Sequence, residues 1–192
     1  MLSQFTSTQI TVCLFVLLLV VAIAVGAYLK YREARTSAFK DRFGSEYDRA
    51  VQTHGSSQKA EAKLADRETR VETLKFRELT GTERDRFVAE WHIVQSRFVD
   101  HPKTAVTEAD DLINALLLAR GYPQAGFEQR AADVSVSYPR VMENYRLANA
   151  VAVRPGGVDA TTEELRTAMI QYRAIFDELL QVPKASESKS AA

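Results

Sequence analysis

Three histidines, His54, His92 and His101, are the side chains best suited to hold a metal, and their spacing argues against it. No His-x-x-His, Glu-x-x-His or His-Glu-x-x-His pair occurs, so no zinc or di-iron ligand set is recognisable. His92 follows Trp91 in a helical stretch and belongs at the edge of a packed face, while His101 stands before Pro102 at a helix start. Glu108, Asp110 and Asp111 bring three carboxylates close together. Acid–base catalysis needs two carboxylates in contrasting environments around a cleft, which sequence neighbours on a solvated helix face do not supply. A solvated surface is the expected role. Gly156-Gly157 follows Pro155 without the strand, lysine or further glycines of a phosphate cradle, and reads as a turn. No catalytic, cofactor-binding or metal-ligating residue is expected, and the sequence leans away from an enzyme.

A second constellation is rich in arginine, tyrosine and acid: Arg120, Tyr122, Glu128, Arg130, Asp133, Tyr138, Arg140, Glu143 and Tyr145. Arginine and tyrosine are enriched at protein interfaces. Arg120, Tyr122, Arg130, Tyr138, Arg140 and Tyr145 are therefore candidates for an interaction surface. The competing and favoured reading is an internal network that holds a short helix against a bundle.

The element that governs placement lies at the other end of the chain. Ile10 to Leu29 is an uncharged run with thirteen Leu, Ile, Val or Phe residues. Twenty residues at 1.5 Å each span about 30 Å, the thickness of a bilayer's hydrocarbon core. Each of the thirteen favours insertion by roughly 0.3–0.6 kcal/mol. A retained span is expected rather than a cleaved signal, because no Lys or Arg precedes the run and its length exceeds a signal's apolar region. Lys30, Arg32, Arg35, Lys40 and Arg42 follow it, against Glu33 and Asp41. Basic flanks stay cytoplasmic, which puts the N-terminus outside and the soluble part in the cytoplasm, at the inner membrane. Tyr28 and Tyr31 sit at interface depth, and the basic flank meets anionic headgroups. Ala22-x-x-x-Gly26 is a pattern that lets two membrane helices approach, so a homodimer through this face is one arrangement open to the chain. The single cysteine, Cys13, lies in the span as an apolar filler, with palmitoylation the alternative.

Beyond the span nearly every stretch has helical period. Phe39, Phe43, Tyr47 and Val51 form an aromatic stripe that Gly44 interrupts, with a kink or close backbone contact expected there. Residues 57–75 are highly charged, with only Ala60, Leu64, Val71 and Leu74 as an apolar seam. Phe76 and Leu79 are expected to tuck inward. Thr80 with Glu83, and Thr161 with Glu164, predict capping boxes. Phe87, Trp91, Val94 and Phe98 make a core stripe, and Val106 to Leu117 a broad apolar face closed by Gly121 and Pro123. A short helix is expected over 127–133. No strand alternation appears, so the class is all-α: one transmembrane helix and a soluble bundle of about six helices. The divisions are 1–9, a short polar N-terminus; 10–29, the span; 30–56, a juxtamembrane amphipathic helix; 57–75, a charged helix; 76–182, the bundle core; and 183–192, a disordered tail.

RFGSEYDRAV (42–51), RFVD (97–100), EADDLI (108–113), RGYP (120–123) and FEQRAADVSVSYPRVMENYR (127–146) together resemble an uncharacterised bacterial family of single-pass or secreted-looking proteins with a helical domain. The resemblance covers most of 39–150 and departs at His101, where many members carry a second acid. It implies the same organisation and no catalytic residues.

Lysine plus arginine equals aspartate plus glutamate, 25 each, so nucleic acid is not an expected partner. The expectation is a membrane-anchored, non-enzymatic adaptor or structural module with a protein partner. The alternatives are an enzyme with an unrecognised helical-bundle site, or an exported helical domain behind a signal anchor or cleaved signal.

Overall fold

The structure is a computed structural model describing residues 7–154 and 160–181. The polar residues 1–6, the Pro155-Gly156-Gly157 turn and the tail 183–192 lie outside the described residues. The described chain is all-α, with helices α1 (Ser7–Phe43), α2 (Ser45–His54), α3 (Ser57–Glu72), α4 (Gly81–Arg97), α5 (Pro102–Ala119), α6 (Phe127–Ser137), α7 (Met142–Ala152) and α8 (Thr162–Leu180). A 3₁₀ turn over Pro139–Val141 links α6 to α7. Two units divide between Arg42 and Phe43.

The first unit is almost all of α1. It is long and apolar enough to cross a membrane. Its side chains are exposed on every face, Leu14, Phe15, Leu17 and Ile23 by 58–67 %. A helix with every backbone bond made internally suits a medium that offers no hydrogen bonds, and this composition has no polar face to turn toward water.

The helix ends at Gly44, whose φ of 52° and ψ of −126° only glycine adopts without strain. Residues 30–56 are therefore two helices rather than one amphipathic helix, and the aromatic stripe is broken between Phe43 and Tyr47. Gly55, also left-handed, closes α2 by donating its N–H to the Val51 carbonyl at 2.8 Å. The Ser56 hydroxyl then caps α3. Helix α3 packs along a narrow seam: Ala60, Leu64 and Val71 are buried together with Glu61, whose carboxylate accepts from the Tyr47 hydroxyl at 3.4 Å.

Helices α4, α5, α7 and α8 form the main core, with α8 against α7 and α5, and α5 against α4. Trp91 stacks on Phe176 at 4.8 Å, and Tyr145 meets Phe127 and Tyr172 edge-on. Each such ring removes a large apolar area from water, worth about 1.5–3 kcal/mol. Phe98, expected in the stripe, is only partly buried at the end of α4. Phe76 is 43 % exposed, while Leu79 is buried as expected. The connector between α3 and α4 is non-helical over 75–80, so helical spacing does not place its two apolar groups on one face. Helix α6 runs four residues beyond 133, to Ser137.

Both capping boxes form, and each carries an addition not readable from the local motif. Thr80 Oγ1 accepts from the Glu83 N–H while the Glu83 carboxylate accepts from the Thr80 N–H; Thr161 and Glu164 repeat the pattern. Arg77 grips Glu83 with two hydrogen bonds of 2.9 and 2.7 Å, and Arg154 grips Glu164 with bonds of 3.3 and 2.6 Å. These forks, then the backbone bonds at the caps, hold both carboxylates down at about 2.

Candidate functional site

Four of the six candidate interaction residues are buried, so they do not form a surface. Arg120 sits at the end of α5 and donates from Nη1 to the carbonyls of Leu179 (2.6 Å) and Gln181 (2.9 Å), satisfying the carboxyl end of α8. Gly121 follows at φ 95°. Its N–H reaches the Leu118 carbonyl and the Tyr122 N–H the Leu117 carbonyl, the two bonds of a Schellman motif. A Cβ at Gly121 would lie 2.3 Å from the Lys75 carbonyl oxygen. The Arg77 N–H donates to the Arg120 carbonyl at 3.1 Å, and Phe76 meets Tyr122 at 4.7 Å. RGYP is thus a corner where the α3–α4 connector, the end of α5 and the end of α8 are joined. Burial pushes the Tyr122 phenol up to about 12 and raises that of Tyr138.

Arg130 and Tyr145 belong to a second network centred on Asp110. Tyr172 donates its phenol proton to Asp110 Oδ1 at 3.0 Å, Asn149 donates to the same oxygen at 3.4 Å, and Asn114 donates to Oδ2 at 3.2 Å. Arg130 stands 3.8 Å from Asp110 Oδ2 and donates from Nε to the Tyr145 hydroxyl at 2.7 Å. The expected solvated acidic patch is corrected here. Asp110 falls between Val106 and Ile113 at spacings of four and three, on the apolar face of α5, and points into the bundle; Asp111 remains exposed. Glu108 pairs with Arg97 at the α4–α5 turn. Burial, with the Asp110 charge next, raises both the Tyr145 and Tyr172 phenols. A tyrosine serving as nucleophile or base would need the opposite shift, so these phenols position helices instead, Tyr172 as donor to Asp110 and Tyr145 as acceptor from Arg130.

Of the remaining candidates, Arg140 is exposed on the 3₁₀ turn. Tyr28, near the end of the apolar run, and Lys30, Tyr31, Arg32 and Arg35 just past it are exposed along α1, with the Arg35 guanidinium 5.7 Å from the Phe39 ring centre. Ala22 and Gly26 are exposed one turn apart on the same helix, and nothing lies within 4 Å of a Cβ built at Gly26. His92 and His101 are exposed and His54 half-buried. Among the described residues no group of three His, Cys, Asp or Glu is placed to hold a metal ion.

A third charged cluster joins Glu128 and Asp133 of the Arg/Tyr/acid constellation to Glu46, Arg49, Arg67, Arg70 and Arg146, which were not candidates. Glu46 of α2 is 3 % exposed and accepts from Arg146 of α7 at 2.7 and 3.2 Å, with Arg67 of α3 at 3.6 Å. Arg146 also donates to Glu128 of α6 at 2.9 Å, and Arg49 lies 3.8 Å from the same carboxylate. Arg70 of α3 stands 3.3 Å from Asp133 of α6, which is 1 % exposed and also receives Gln129 at 2.7 Å. The usable signal was spacing: Glu46 lies three residues after buried Phe43 and four before buried Ala50, on the inward face. Its partner is a hundred residues away. No family model matches the chain, and no curated protein or solved structure is significantly similar to it.

Proposed function

We propose that this chain is a single-pass inner-membrane protein, N-terminus outside, whose cytoplasmic helical domain serves as a non-enzymatic adaptor or structural module for a protein partner at the membrane surface. The observation that carries the reading is the continuous helix α1, apolar on every face over residues 10–29 and charged immediately afterwards. Its 37 residues measure about 55 Å, against a hydrocarbon core of about 30 Å. Once the apolar run fills the bilayer, residues 30–43 extend about 20 Å beyond it as rigid helix. Lys30, Arg32 and Arg35 then stand in or beside the headgroup layer, where each basic side chain contributes about 1 kcal/mol toward anionic lipid. The same charges favour the cytoplasmic side.

The adaptor part rests on how polar groups are used. Arg120, Arg130 and Arg146 are spent on carbonyls, a phenol and carboxylates of the chain itself, and the Tyr172 phenol on Asp110. What is left for the domain to offer is an outer helical surface held at high local concentration by its tether. We extend the same organisation, as a proposal, to the bacterial family that the stretches quoted above resemble.

Two experiments test this. Full-length protein should stay with vesicles in alkaline carbonate, and a green fluorescent protein fused after residue 181 should fluoresce while an alkaline phosphatase fused there stays inactive. Release by carbonate removes the anchor, and active phosphatase without fluorescence moves the domain outside. For the adaptor, crosslinking in intact cells should capture a partner above a control carrying residues 1–43 alone, and equal capture by both would reject it.

A further inference from the structure

The α2–α3 hairpin stands apart from the rest of its unit in how it is held. The continuous apolar core runs from Leu79 to Leu179 and is built by α4 to α8. The hairpin's buried apolar side chains, Tyr47, Ala50, Ala60, Leu64 and Val71, belong to a separate set, as does Phe43 at the end of α1. Where the hairpin meets α6 and α7 the joint is dense in charge: Glu46, Arg49, Arg67 and Arg70 on one side, Glu128, Asp133 and Arg146 on the other. Two buried atoms of this joint make no hydrogen bond within the described residues: Asp133 Oδ2 accepts none and Arg67 Nη1 donates none. Desolvation is also the largest influence on Arg67.

Charges withdrawn from water recover that cost only through close, complete pairing, so a joint of this kind adds specificity with little net adhesion. An apolar interface of the same size would hold more firmly. Both ends of the hairpin are also free of helical continuity: Gly44 ends α1, and a non-helical segment over 75–80 precedes α4.

We infer that the α2–α3 hairpin is a releasable clamp: it swings off α6 and α7 as a unit, while α4 to α8 remain folded, and its charge pairs set the docked register. The hairpin lies directly after the membrane helix in the chain, so this joint gives the anchored domain two states without any loss of its core. The closed state needs Glu46 to find Arg146; the open state leaves both in water.

Hydrogen exchange on the full chain in nanodiscs reads this directly. Amides of residues 46–54 and 60–72 should exchange through an opening at least tenfold more frequent than that of α5 and α8. Glu46→Ala should raise hairpin exchange a further hundredfold or so, leaving α5 and α8 unchanged. The apolar replacement Glu46→Leu with Arg146→Met should slow hairpin exchange to or below the wild-type rate. One common opening rate for hairpin and bundle in the wild-type protein would overturn the proposal. So would a Glu46→Ala variant in which all helices exchange together.

Discussion

Replacing Gly121 by alanine should be among the most costly single-methyl changes in this protein. The residue sits at φ 95°, where a side chain costs about 1–2 kcal/mol. The new Cβ would also lie 2.3 Å from the Lys75 carbonyl oxygen, 3.2 Å from its carbon and 3.3 Å from the Phe76 Cα, all of them backbone. No side chain can rotate away, so the connector itself must retreat by about 1 Å to reach an ordinary 3.4 Å contact. That movement loosens the Arg77 N–H bond to the Arg120 carbonyl, worth about 1 kcal/mol. It also opens the Phe76–Tyr122 ring contact, worth roughly 0.5–1.5 kcal/mol. Together the loss is about 3–4 kcal/mol, a large part of the 5–15 kcal/mol typical of a folded domain. Trp91, the single tryptophan, is buried against Phe176, and its fluorescence reports the core during urea unfolding of full-length protein in nanodiscs. With a slope of about 2 kcal/mol per molar urea, the midpoint should fall by about 1.5–2 M. Gly126→Ala is the control, since its φ is −61° and nothing lies within 4 Å of its Cβ; it should lose under about 1 kcal/mol. If Gly121→Ala matches that control, the RGYP corner is not a close backbone crossing and the account of that motif fails.

Four further outcomes are expected. Arg120→Ala should lower stability by about 2–4 kcal/mol in the same assay, because two buried carbonyls lose a charged donor, and a loss below 1 kcal/mol would mean the α8 terminus is satisfied otherwise. Trp91→Ala should cost about 3–5 kcal/mol by thermal unfolding followed by circular dichroism, with Trp91→Phe retaining most of the stability. Glu83 and Glu164, held at about 2 by Arg77 and Arg154, have folded pKa values below the unfolded range near 4.3. Their contribution is therefore whole above about pH 4.5 and disappears as pH falls toward 2, so an Arg77→Gln, Arg154→Gln variant should acid-unfold at higher pH than the parent, and coincident titrations would refute the pairing. Leu17→Arg with Leu18→Arg adds about 5–7 kcal/mol of insertion cost to a span whose apolar residues supply roughly 4–8 kcal/mol, so membrane retention should fall sharply by carbonate extraction.

The parts of this fold that could be read along the chain are those whose cause is local. Thr80 and Glu83 satisfy each other's backbone three residues apart, and Phe87, Trp91 and Val94 share a helix face by spacing alone. The polar interior could not be read that way. Asp110 looked solvated because Glu108 and Asp111 flank it, and only the approach of Tyr172 and Asn149 makes its inward position stable. Phe76 looked like core because it is large and apolar, yet it lies over the buried Tyr122 ring with 43 % of its surface exposed.

Composition and period alone determined an apolar helix of membrane length, a basic flank, an all-α class and the ends of most helices, because each follows from transfer free energy or from hydrogen bonds closed within a turn. Tertiary structure decided which charges are inside. A buried carboxylate is stable only beside its partner, and Glu46 meets Arg146 across a hundred residues through packing that no local pattern encodes. The same packing decided between the two readings of the Arg/Tyr run: it is the internal network the sequence favoured, a corner and a polar cluster that hold the bundle together, rather than a contact surface.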